Sequence, residues 1–129
     1  AVGTFFFNLD ESMYAGPALI EAYHLGASAQ WIGIVTSEAV YRRAIEAELQ
    51  SGSSDVVIPA EIPVDGGSRS GYVVNWPVIL RNSIAAPLPV TGQQVYEGFA
   101  QYFGPFESLD QRTRQKYENT AAFMNTSAA

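Results

Sequence analysis

The apolar positions of this chain fall into two periods, one suited to strands and one to helices. Residues 1–7 are β-prone and rich in Phe, and the polar stretch Asn8-Leu9-Asp10-Glu11-Ser12 interrupts them. Gly16-Pro17 then suits a helix start, because Pro at the first helical position gives up an N–H that no helical carbonyl would accept. Leu19, Ala22 and Tyr23 follow helical spacing, and Gly26 with the small residues after it predicts the stop. This region reads as strand, loop and tightly packed helix. Trp31-Ile32-Gly33-Ile34-Val35 is a nearly continuous apolar run and predicts a short buried strand.

Thr36-Ser37 offers an N-cap, with Glu38 adding negative charge to the first turn of a helix that runs through Gln50. Val40, Ala44, Ala47 and Leu49 form its expected inner side. Residues 55–64 predict an edge or irregular strand, because Pro59 and Pro63 cannot donate to a ladder. Asp65-Gly66-Gly67-Ser68 predicts a turn of several residues, and residues 72–80 a second strand that Pro77 weakens. Residues 83–89 read as a linker. Thr91 predicts the cap of a helix with Val95, Phe99, Tyr102 and Phe103 on one face, ended by Gly104-Pro105. A last helix is expected from about Ser108 to Met124, with a frayed tail from Asn125.

Composition narrows the class. With 129 residues, 47% hydrophobic and 16% charged, the chain can bury one sizeable core. The net charge of -6, with only seven Lys and Arg, supplies no basic stripe for nucleic acid or an anionic membrane. The absence of Cys removes disulfides and thiolate chemistry and fits a cytoplasmic setting. No apolar run approaches the ~20 residues of a membrane span. The start Ala1-Val2-Gly3-Thr4 reads as a strand already under way, which points to a fragment or processed product.

Self-sufficient catalytic motifs are missing from the sequence. It has no P-loop, no G-x-G-x-x-G and no Cys/His cluster, and His24 is the one His. Asp10-Glu11 is the adjacent acidic pair beside an expected strand end; it could approach a metal, or form a solvated turn. His24 shares a helix face with Ile20, and as a cation it could meet a phosphate.

Gly16-Pro17-Ala18-Leu19-Ile20-Glu21-Ala22-Tyr23-His24-Leu25, followed by Trp31-Ile32-Gly33-Ile34-Val35-Thr36-Ser37-Glu38-Ala39-Val40, resembles the second half of a class III nucleotidyl cyclase homology domain. The likeness is to the divergent bacterial branch that includes the pyrimidine cyclases of Pycsar antiphage systems, and it covers roughly the first 45 residues. It implies an α+β, partial ferredoxin-like domain over residues 1–82, its sheet carrying helices on one face, with a helical C-terminal extension over residues 83–129. It also implies a homodimer, or pairing with a complementary N-terminal fragment. The implied reaction turns a nucleoside triphosphate, UTP or CTP, into a 3′,5′-cyclic nucleotide and pyrophosphate, with Mg2+ or Mn2+ held by aspartates upstream of this chain. The alternative is a catalytically degenerate domain that binds nucleotide or regulates.

The resemblance assigns positions residue by residue. His24 stands where adenylyl cyclases place the Arg that stabilises the transition-state phosphate. Ile20 stands where an Asn orients the ribose. Met13 stands where an Asp reads adenine, with Tyr14 beside it at the same nucleotide-binding position. Met13 offers no acceptor to the adenine amino group, Ile20 cannot hydrogen-bond a ribose, and His24 lacks the bidentate fork of Arg.

Overall fold

The computed structural model describes residues 3–4, 6–8, 10, 13–51, 56–84, 87–89, 91–100 and 104–127. They form two compact units. The first takes residues 1–29 and 34–74, the second residues 30–33 and 75–129.

The first unit is α+β. A short ribbon pairs β1 (Phe6–Asn8) with β2 (Met13–Ala15) antiparallel, Asn8 opposite Met13 and Phe7 opposite Tyr14. Gly16 follows with φ 142, a backbone that side-chain-bearing residues rarely adopt, and it redirects the chain into α1 (Pro17–Ser28). Pro17 occupies the first turn as expected. The main sheet is three-stranded and antiparallel, ordered β3 (Val35–Thr36), β5 (Gly67–Val74), β4 (Val57–Val64). Between β3 and β4 runs α2 (Glu38–Ser51), whose first turn is capped by Ser37: its Oγ accepts the Val40 N–H at 3.4 Å.

Register decides which side chains face inward. Val57 pairs with Val74 and Val64 with Gly67, across a two-residue turn of Asp65 and Gly66. Gly66 sits at φ 82, which this tight connection demands and glycine supplies without strain. Ile58, Ile62 and Val73 share one face of the hairpin with Arg69 and Gly71, and Ile62 and Val73 are fully buried there. Each such burial contributes about 1.5–3 kcal/mol. Tyr72 lies on the opposite face, where its ring stacks on Tyr41 of α2 at 4.4 Å and 17°. Arg69 donates to Ser28 Oγ at the end of α1 (3.1 Å). The two helices are therefore reached from opposite faces of the sheet, not from one face as expected.

The outer edge of β4 is partly disarmed. Val74 donates its N–H to Ile34 of the neighbouring segment (2.9 Å), so it turns its backbone away from β4. By alternation, Val57, Pro59, Glu61 and Pro63 present their backbone positions outward. Two of those four are prolines, which have no N–H to offer an incoming strand.

The second unit is helical among the described residues. It comprises α3 (Trp76–Ser83), α4 (Gly92–Ala100), a 3-10 turn (Phe106–Ser108) and α5 (Gln111–Ser127). Val95, Ala121 and Met124 form its buried centre, packed by Ile32, Trp76, Leu88 and Tyr117. Phe123 brings Trp31 (4.6 Å) and Trp76 (6.4 Å) together. A reciprocal capping box starts α4: Thr91 Oγ1 accepts the Gln94 N–H, and Gln94 Oε1 accepts the Thr91 N–H, both at 3.2 Å. Tyr96 donates its hydroxyl to the Gly104 carbonyl (2.6 Å), between the rings of Phe106 and Tyr117.

Several expectations are corrected. The apolar run after Gln30 pairs as a strand only at Val35 and Thr36; Trp31 and Ile32 belong to the helical unit. Residues 72–80 are not one strand: β5 ends at Val74, and Pro77 sits in the first turn of α3, where it fits a helix start. Helix α1 runs past Gly26 to Ser28 and buries none of its residues, so it is not the tightly packed helix expected. Met13 and Tyr14 lie in a second short strand ahead of the helix, an element the sequence does not predict. The last helix begins at Gln111, because Asp110 takes the cap, and Asn125–Ser127 remain helical. Ala1, Val2, Phe5, Glu11, residues 52–55, Tyr102 and Phe103 lie outside the described residues.

Candidate functional site

Helix α1 carries the candidate chemistry. Leu19, Ile20 and Tyr23 are all exposed, Ile20 at 59% and Tyr23 at 71%. His24 is exposed as well, one turn after Ile20, so the two share a face as the spacing predicts. The Tyr23 and His24 rings meet edge to face at 5.6 Å and 67°. An aromatic ring beside an imidazole on an open helix can stack on a flat ring and donate a hydrogen bond to an anion. Met13 and Tyr14 lie on β2, the strand that leads through Gly16 into the helix, and α1 packs beside β2 and β3. Tyr23 was not singled out from the sequence, where its helical spacing reads as core; no local signal separates an exposed Tyr from a buried one in Glu-Ala-Tyr-His.

Charge around this helix is sparse. Glu21, Tyr23 and His24 are its ionisable side chains, with no acid in the first turn and no base in the last. On α2, Arg42 is committed to Glu38 four residues earlier (2.7 Å), a hydrogen-bonded ion pair that raises the guanidinium pKa. Both side chains are largely exposed, so the pair adds little stability. Among the described residues no group of His, Asp or Glu is placed to hold a metal ion. Asp10 is exposed in the turn after β1.

One hydrogen-bonded carboxylate lies away from α1. Asp110 accepts the Thr113 N–H (2.8 Å) and hydroxyl (3.1 Å), and these bonds hold its carboxyl below the ordinary carboxylate value. That is a helix cap, not an acid–base site. Elsewhere Trp31 Nε1, Trp76 Nε1, Asn75 Oδ1 and Thr36 Oγ1 are buried without a protein partner. None of them lies on α1 or β2.

No helix among the described residues is long and apolar enough to cross a membrane. Compared with protein-family models, curated proteins and solved structures, the chain matches none of them.

Proposed function

We propose that this chain is the second half of a class III-like nucleotidyl cyclase homology domain, lending α1 to a nucleotide site that a second polypeptide segment completes. In this reading the ribose 3′-hydroxyl of UTP or CTP gives its proton to water, its oxygen bonds to the α-phosphorus, the bond to the β-phosphate breaks, and pyrophosphate leaves. The setting is cytoplasmic antiphage signalling. Protonated His24 donates a hydrogen bond to the phosphate oxygens as charge builds on them. Ile20 packs against the sugar, and Met13 and Tyr14 border the base. The divalent ion's ligands come from outside the described residues.

One observation supports the reading: α1 leaves Ile20, Tyr23 and His24 open on a helix that buries none of its side chains. A specific feature favours the alternative, a degenerate nucleotide-binding domain. Ile20 has no polar atom where the resemblance requires one to orient the ribose.

The test uses the full polypeptide that carries this chain, incubated with Mn2+ and each of ATP, GTP, CTP and UTP. Cyclic CMP or cyclic UMP is the expected product. His24→Ala should lower turnover about tenfold or more, while Tm stays unchanged because the side chain is exposed. No cyclic product from any of the four sinks the enzyme reading, and nucleotide binding retained without turnover selects the alternative.

A further inference from the structure

The segment Gln30-Trp31-Ile32-Gly33 packs with the helical unit, although the chain before it ends α1 and the chain after it opens β3, both in the other unit. Consecutive residues of α5 tie its backbone at two points. Asn119 Nδ2 donates to the Gln30 carbonyl (2.9 Å), and Thr120 Oγ1 accepts the Ile32 N–H (2.8 Å). The Thr120 hydroxyl proton goes to the Lys116 carbonyl (2.7 Å), so this fully buried side chain both donates and accepts. Trp31 packs on Phe123, and Ile32 packs on the core of Val95, Ala121 and Met124. Two residues upstream of this fixed point lies the last turn of α1, a helix with no buried side chain to hold it.

We propose that Asn119 and Thr120 act as a clasp on the α1–β3 connection, so that the folded state of the helical unit governs how firmly the end of α1 is held. A helix with little burial of its own opens at low free-energy cost, and its boundary conditions then dominate its stability. Releasing Gln30 and Ile32 frees that boundary and leaves the Ile32 N–H without its buried acceptor. The switching element is the last turn of α1, paired or frayed, and the coupling runs along the covalent chain. A ligand or partner that stabilised α5 would thereby tighten α1. The proposal does not depend on the cyclase reading.

Hydrogen exchange read by mass spectrometry on the full chain tests it. Thr120→Val keeps the shape and removes the hydroxyl. It should speed exchange in residues 17–28 about three- to tenfold and leave residues 57–74 unchanged. Thr120→Ser should restore protection. Arg69→Ala, which removes the bond to Ser28, should speed residues 17–28 and leave residues 111–127 unchanged. If Thr120→Val unfolds the helical unit, the milder Asn119→Ala is read in the same way. Faster exchange confined to residues 30–33 and 111–127 overturns the proposal, and so does an α1 already unprotected in the unsubstituted chain.

Discussion

At the scale of single residues, the sheet turns on one absent methyl group. A Cβ built on Gly71 would stand 2.5 Å from Ile62 Cδ1, and Ile62 is 0% exposed, so its side chain has no open space to swing into. Gly71→Ala is expected to destabilise by about 1–3 kcal/mol through overpacking. Removing the offending methyl in the double variant with Ile62→Val should recover part of that loss, though Ile62→Val alone costs about 0.5–1.5 kcal/mol. Urea denaturation of the four proteins measures the coupling; strict additivity would show that the two side chains do not compete for this space. The candidate site has the opposite character. Ile20, Tyr23 and His24 are restrained by few neighbours, so their substitution reports on binding more than on folding.

At the scale of elements, helix starts carry much of the specification. Asp110 holds its carboxylate proton less readily in the folded chain because the ionised form accepts two bonds from Thr113. Its folded pKa lies below its unfolded one, so its stabilisation is complete above the unfolded value and is lost as pH falls through the folded one. Asp110→Ala should lower Tm at pH 7, and the gap from the unsubstituted chain should close below about pH 4. A gap that stays constant into acid would contradict a charged cap. Caps are also where the sequence was most informative. Ser37 and Thr91 mark the starts of α2 and α4 because side chains accept N–H groups from residues three positions on. Pro77 misled, since the same residue that breaks a strand opens a helix, and only the register of β5 decides between them. Trp31 and Ile32 misled because an apolar run does not say which neighbours it will meet, strands or helices. The face of α1 was legible from spacing, which put Ile20 and His24 together. Its exposure was not, because Leu, Ile and Tyr at helical period ordinarily signal burial.

At the scale of the whole molecule, the prolines of β4 act against association. Restoring donors with Pro59→Thr and Pro63→Thr together would complete the outward row of N–H groups. Sedimentation velocity should then show concentration-dependent self-association that the unsubstituted edge does not support; an unchanged profile would mean the edge is protected by something else. The connection between α1 and β3 also has a consequence for synthesis. Ile32 and Thr120 are 88 residues apart, so a ribosome adding 5–20 residues per second leaves roughly 4–18 s between making the donor and making its acceptor. The hairpin of β4 and β5 needs no such wait, because its partners lie within one stretch of 18 residues, Val57 to Val74. The nascent chain can therefore hold a finished hairpin while the Ile32 N–H is still bonded to water, and that donor meets its protein acceptor only when α5 has emerged.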